Sequence, residues 1–204
     1  MHGLKASNID IKMILASYQG CYLYLALNTQ TNLLLALNAG SGCKESDSYA
    51  FPAGQVDLTA IDGAINDKGF AIAYVNKVGG EYTTYFVYHS FTVGSQDIIV
   101  TNNDSRGYIS TIRLAPWPDW VHFGVSVGVR IHDRCDILVA DISDPEELSF
   151  NTIDSINSCY NVWPVANSDG SAFFWNNYRD TVLNLYALSS PTAPGTSSQI
   201  GLLS

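Results

Sequence analysis

Four sets of four strand-like segments, repeated in one order, constrain this chain more than any other feature. The first set reads NIDIKMILAS, CYLYLALN, TNLLLALNAG and DSYAFP. The second reads QVDLTAIDGA, GFAIAYVNKV, EYTTYFVYHS and QDIIVTN, and the third YISTIRLAPW, DWVHFGVSVG, CDILVADIS and ELSFNTI. The fourth reads YNVWPVAN, SAFFWNNY, TVLNLYALS and QIGLLS. The segments are short, rich in β-branched, aromatic and leucine residues, and bounded by Gly, Asn, Asp and Pro, which is a run of strands and hairpin turns. Aligning Ile11, Leu58, Ile112 and Val162 gives spacings of 47, 54 and 50 residues. Propeller blades are four-stranded antiparallel sheets that recur every 40–50 residues or so. The expected fold is therefore all-β, a single β-propeller domain over residues 1–204. It has about four four-stranded blades, at 8–53, 54–105, 106–156 and 157–204. The best helical candidate, Ile9 to Tyr18, reads equally well as a strand. Four blades either close by themselves or bury their end sheets against a second copy, as a homodimer.

Charge narrows the partners. Apolar residues make up 47% of the 204, enough for a sizeable core, whereas charged residues are only 14%. Net charge is −9 and the ten Lys and Arg are scattered. Nucleic acid and anionic membrane both call for a basic patch, so neither is expected as a partner. No apolar run reaches transmembrane length. Asp10 and Lys12 interrupt the N-terminal run, which then lacks the form of a signal peptide. Taken as written the chain reads as cytoplasmic, or as secreted if it is a trimmed mature form. Cys21, Cys43, Cys135 and Cys159 lack metal-type spacing. Buried free thiols are the default in a reducing compartment, and Cys21–Cys43 and Cys135–Cys159 are the local pairings in an oxidising one.

The segments FAIAYVNKVGGEYTTYFVYHSFTVGSQ and SAFFWNNYRDTVLNLYALSSPTAPGTSSQIG have a cadence that resembles the fungal fucose-specific lectins, a family of tandem-blade propellers. That family's second strand reads like I-R-V-Y-Y-Q and its third like L-x-E-x-x-Y. The turn Asn167-Ser168-Asp169-Gly170-Ser171 resembles the S-x-D-G turn of TolB-type propellers. The lectin resemblance implies a sugar site built from an Arg on the second strand, a Glu on the third and an aromatic nearby. Tyr22, Ala71, His122 and Ala172 stand where the Arg belongs, and Leu35, Tyr85, Val139 and Asn184 where the Glu belongs. With neither charged ligand kept in any blade, fucose-type binding is expected to be weak or lost.

Reading for nucleophile–base pairs, paired carboxylates and metal ligands singles out none. Asp62, Asp67, Asp104 and Asp144 read as turn-capping acids. His132-Asp133-Arg134-Cys135-Asp136 reads as a solvated hairpin turn rather than a metal set. Polar residues on the first strand of each blade are better candidates, because a cation in an apolar strand is costly unless paired or facing water. Lys12, Thr59, Arg113 and Trp163 occupy those aligned positions. His122 stands beside Trp117 and Trp120, although a satisfied core histidine is the commoner role for such a residue.

A lectin-like scaffold without its sugar ligands suggests reuse in fungal secondary-metabolite biosynthesis. The expected chemistry is a cofactor-independent pericyclic cyclisation of the hetero-Diels–Alder type, on a small hydrophobic or aromatic ligand. It needs alignment, exclusion of water and one or two hydrogen-bond donors, with no metal or cofactor. Arg113, His122 and Lys12 are the candidate donors. Trp163, Tyr22, Tyr85, Trp117, Trp120 and Asn184 are the candidate walls. A carbohydrate-binding lectin of diverged specificity and a protein-docking propeller are the alternatives.

Overall fold

The computed structural model describes residues 8–52, 60–78, 81–104, 109–129, 134–144, 146–157, 162–166, 173–177, 182–188 and 196–202. All regular structure among them is β-strand, apart from one helical-turn residue at Asn8. Sheet 1 holds β1 (Ile9–Tyr18), β2 (Cys21–Asn28), β3 (Leu33–Ala39) and β4 (Ser48–Ala50). Sheet 2 holds β5 (Ile61–Ile65), β6 (Gly69–Val78), β7 (Glu81–Ser90) and β8 (Ile98–Asp104). Sheet 3 holds β9 (Ile109–Pro116), β10 (His122–Val129), β11 (Arg134–Asp141) and β12 (Ser149–Asn157). Sheet 4 holds β13 (Val162–Ala166), β14 (Phe173–Asn177), β15 (Val182–Leu188) and β16 (Thr196–Leu202). Within every sheet the strands lie antiparallel in chain order.

Turn chemistry explains this order. Gln19 and Gly20 both have positive φ, which suits the tight two-residue turn between β1 and β2. Asn28 Oδ1 accepts from the N–H groups of Gln30 and Thr31, and Asn32 takes the left-handed conformation before β3. Asn66 does similar work between β5 and β6, accepting from the N–H groups of Lys68 and Gly69.

First strands meet in succession, β1 against β5, β5 against β9 and β9 against β13. Alternation on β6 divides the core in two. Phe70, Ile72 and Tyr74 pack toward sheet 1, with Leu23, Leu25 and Phe51. Ala71, Ala73 and Val75 pack toward sheet 3, with Phe123, Val125 and Val127. A period of two thus buries both faces of one strand against different neighbours. Gly63 lets β5 close on sheet 1, since a Cβ there would lie 2.9 Å from Leu23 Cδ2 and 3.1 Å from Leu15 Cβ.

Several expectations need correction. The second set's first strand begins at Ile61 rather than near Gln55. Leu58 and Thr59 lie outside the described residues, as do Asn167 to Ala172, His132 and Asp133. Asp62 is not a turn residue; it is on β5, and Asp104 ends β8. Asp136 is not solvated either. It is buried on β11, where Arg134 Nη2 donates to its Oδ2 at 3.0 Å and Arg134 Nε lies 2.8 Å from its Oδ1. Free thiols are not found among the described residues. Cys21 and Cys43 form a disulfide, because the turns at Gly20 and Gly42 bring their Cα atoms to 4.6 Å. Cys135 is also disulfide-bonded. The sequence has one further cysteine, Cys159, outside the described residues.

Candidate functional site

A cleft of about 570 Å³ opens between sheets 1 and 2, at the end where their turns gather. The β3–β4 loop supplies Lys44 and Glu45, and the β5–β6 turn supplies Asp67 and Lys68. Tyr88 and Ser90 come from β7, and Phe91 and Thr92 follow it. Two cations, two carboxylates, three hydroxyls and two aromatic rings therefore share one cavity. Such a mixture suits a ligand with both polar groups and an apolar face.

The β3–β4 loop is held on several sides. Asn38 is buried on β3, donates Nδ2–H to the Glu45 carbonyl at 2.8 Å and accepts the Asp47 N–H at 2.6 Å. The Gly42 N–H donates to the Gly20 carbonyl at 3.1 Å. A Cβ on Gly42 would lie 2.0 Å from the Gln19 carbonyl, and one on Gly40, at φ +141°, 2.4 Å from the Gly20 carbonyl. Only glycine permits these approaches. The disulfide fixes Cys43, the residue before Lys44. On the facing wall the Phe91 N–H donates to the Lys68 carbonyl at 2.8 Å, joining the β5–β6 turn to the end of β7. Ser90 Oγ accepts the Thr92 N–H, and Ser95 Oγ donates to the Thr92 carbonyl. Both walls are thus set before a ligand arrives.

His89 pins the two sheets beside the cleft. Its Nδ1 lies 2.6 Å from Asp97 Oδ1 of sheet 2's last loop. Its Nε2 lies 3.0 Å from Asp47 Oδ2 of sheet 1, within ion-pair distance but off the direction of a hydrogen bond. The ring stacks on Phe70 at 4.7 Å. Burial, with the nearby Asp67 carboxylate, pushes the Tyr88 phenol above its ordinary value. Tyr88 therefore keeps its proton and can donate at neutral pH.

The residues expected to act lie elsewhere. Lys12 is on β1 and pairs on the surface with Asp10, two residues away. Arg113 is on β9, where Nη1 donates to the Ile112 carbonyl at 2.8 Å; burial raises the Asp62 carboxyl, and the Leu114 and Gly63 N–H groups and then the guanidinium only lessen that rise. His122 opens β10, with Nδ1 2.6 Å from Asp119 Oδ2 and Nε2 3.5 Å from Asp141 Oδ2. Burial opposes ionisation of Asp119 and Asp141. The bonds from His122 and from neighbouring N–H and Ser143 O–H donors still hold both carboxyls below their usual value. Each of these three residues thus has a separate local setting.

Of the expected walls, Trp117 is buried at the β9–β10 turn, its N–H donating to the His122 carbonyl. Trp120 is in the same turn at φ +59° and meets Phe123 edge-on at 5.6 Å. These two and His122 are brought together. Tyr22 is exposed on β2 beside Tyr24, whereas Tyr85 stacks flat on Tyr74 at 4.9 Å in sheet 2. Trp163 is opposite Asn176 on β13, and Asn184 on β15 is opposite Asn177 and Gln199.

One motif escapes the reading for nucleophiles. Gly124-Val125-Ser126-Val127-Gly128 fits the G-x-S-x-G pattern. A nucleophile elbow puts its serine on a strand-to-helix turn. Ser126 is instead buried in the middle of β10, opposite Arg113 and Ile137. The cleft residues also went unnoticed, although CKESD concentrates charge in a chain otherwise poor in it.

No protein-family model matches the chain, and the curated proteins include no match to it. Among the described residues, no three His, Cys, Asp or Glu side chains cluster as metal ligands. No helix among them is long and apolar enough to cross a membrane.

Proposed function

We propose that the four sheets are the blades of a propeller, and that the protein binds a hydroxyl-rich ligand of the carbohydrate class between its first two blades. The succession of first-strand contacts from β1 to β13 supports the radial arrangement. The cleft carries the functional reading. Phe91 offers a flat apolar surface, while Tyr88, Ser90, Thr92 and the charged groups of two anchored turns offer donors and acceptors beside it. Sugars present this pairing of an apolar ring face with a rim of hydroxyls, and a preset site saves the cost of ordering side chains. The site differs from the Arg–Glu pattern of fucose-specific lectins, so the reading is of a lectin with another specificity. Disulfides persist mainly in oxidising compartments, which supports a secreted protein.

Glycan-array screening followed by calorimetry tests this. Saturable binding of one sugar class is expected, weakened at least about tenfold by Phe91→Ala and by Tyr88→Phe, a loss of about 1.4 kcal/mol. Tyr88→Phe should retain the parental melting temperature to within a few degrees, whereas Phe91→Ala, which strips a ring packed on the core, should lower it further while leaving the protein folded. An array without saturable binding, or binding untouched by both changes, defeats the proposal. The same measurements separate it from cofactor-free cyclisation, which predicts turnover of unsaturated substrates, sensitive to Arg113→Ala, without sugar binding.

A further inference from the structure

The imidazole of His89 lies between two carboxylates that belong to different sheets. Its Nδ1 is 2.6 Å from Oδ1 of Asp97, just before β8, and its Nε2 is 3.0 Å from Oδ2 of Asp47, just before β4. The side chain is only 13% exposed, and Nε2 itself is shut off from solvent. Phe70 stacks on the ring at 4.7 Å, and Phe91 meets it at a steep angle at 6.4 Å. Solvent therefore cannot stand in for either carboxylate.

One charge state suits both neighbours. With Nδ1–H donating to Asp97, a neutral ring leaves the Nε2 lone pair beside a second carboxylate, and two electron-rich groups meet at 3.0 Å. A proton on Nε2 replaces that repulsion with attraction between opposite charges. The other neutral tautomer needs a protonated Asp97. Asp47 is set for the cation. Its Oδ1 accepts the Ser48 N–H at 2.8 Å, which leaves Oδ2 to the ring. Its own N–H donates to Asn38 Oδ1 at 2.6 Å, and its carbonyl accepts the Asn38 N–H at 3.1 Å.

The bridge touches both walls of the cleft. Glu45, two residues before Asp47, lines one wall; Tyr88 and Ser90, on either side of His89 in the chain, line the other. Lys44 and Lys68 balance Glu45 and Asp67 in formal charge. Burial pushes the Tyr49 phenol of β4 up, as does the Asp97 charge, so Tyr49 stays neutral at this boundary. Asp47 and Asp97 are thus the unbalanced charges beside the ring.

We infer that His89 is a proton-operated latch: charged, it holds the β3–β4 wall of the cleft against sheet 2, and on losing its proton it releases that wall. A second consequence, which rests on the reading of this cleft as the ligand site, is that ligand is held more tightly while the ring is protonated.

Amide hydrogen exchange of the whole chain, corrected for the direct effect of pH on exchange chemistry, tests the latch without a ligand. The two measurements are made at about pH 5.5 and about pH 8.5, on either side of the range in which imidazoles change charge. The Gly42 and Asp47 N–H groups should exchange about fivefold faster at the higher pH, the scale of one partly exposed ion pair. His89→Gln and Asp47→Asn should each abolish the difference and show the faster rate at both pH values. Asp47 is 50% exposed, so its variant stays folded even where loss of the ring from Phe70 unsettles His89→Gln. Exchange independent of pH overturns the inference, and so does a pH dependence that the variants retain. A glycan array run at both pH values tests the second consequence. Signal should fall at the higher pH in the wild type and be low at both in Asp47→Asn. Equal signal alongside a responding loop overturns the link to binding. A responding loop in a chain that binds no glycan upholds the latch and defeats only the sugar reading.

Discussion

The backbone N–H of Leu114 donates to Asp62 Oδ2 at 2.9 Å, so a carboxylate on β5 holds the first strand of the next sheet. Asp62 Oδ1 accepts its own neighbour's N–H, from Gly63, at 2.9 Å. One half-buried side chain thereby joins sheets 2 and 3 where their first strands meet. Asp62→Ala should cost about 1–3 kcal/mol in urea unfolding at neutral pH, because the Leu114 donor loses its partner inside the protein. An unchanged midpoint would show that water replaces the carboxylate.

Burial raises the Asp62 carboxyl above its ordinary 3.8, against the pull of the two N–H groups and Arg113. A group raised on folding adds stability that is complete below its unfolded value and is lost as pH rises through its folded value. Wild type should therefore gain most over Asp62→Asn in acid and lose that advantage as pH climbs above 3.8. Unfolding free energies of both proteins across that range check the sign. A difference growing with pH would contradict it.

Asp119 should behave in the opposite way. Burial works against its charge, but His122 and two backbone N–H groups hold its carboxyl below 3.8. Stability from this group is present above the unfolded value and is lost as pH falls through the folded one. Its side chain is 42% exposed, so solvent screening keeps the effect under about 1 kcal/mol. Asp119→Asn should flatten the acid limb of the urea midpoint slightly. A steeper limb would argue against the His122 pairing.

Two glycines should respond very differently to alanine. At Gly42 the new Cβ would strike the Gln19 carbonyl, and the backbone must move. Gly42→Ala should cost several kcal/mol, at or above the ~1–3 kcal/mol of ordinary overpacking. Gly94 has φ +83° but no heavy atom within 4 Å of such a Cβ, so Gly94→Ala should cost only the left-handed strain, about 1–2 kcal/mol. Melting curves of the two variants give the comparison. Equal losses would mean that the β3–β4 loop readjusts freely.

Removing the Cys21–Cys43 bridge, by replacing both residues with alanine, frees a segment with a sequence separation of 22. The loss should be about 3 kcal/mol. Sugar affinity should fall too, because the bridge anchors the residue next to Lys44. If stability drops while affinity holds, Asn38 alone positions the loop.

Strand order was legible because alternation and turn chemistry agree through most of the chain. CYLYLALN and GFAIAYVNKV coincide with β2 and β6 from end to end. β5 was harder, since QVDLTAIDGA alternates from Val56 onward and gives no internal sign that the strand starts at Ile61. Asp62 looked like a turn residue for the same reason. Its actual role depends on an N–H 52 residues away. The cleft was hidden more thoroughly. Its residues come from short turns of different sheets, and their individual sequences read as ordinary solvated loops. Cys21 and Cys43 are joined as local spacing suggests for an oxidising compartment, while the choice between thiol and disulfide rested on a compartment that spacing does not encode.

Among the described residues, every strand pairs only with its neighbours in the chain, and none crosses to another sheet. This has a consequence for synthesis on the ribosome. A nascent chain that has emerged as far as Asp104 already contains every strand of two sheets and the apolar residues that join them. Pauses between sheets would leave finished hairpin arrays outside the exit tunnel rather than single strands waiting for distant partners. Growth from the N-terminus would then lay each new sheet on one already formed.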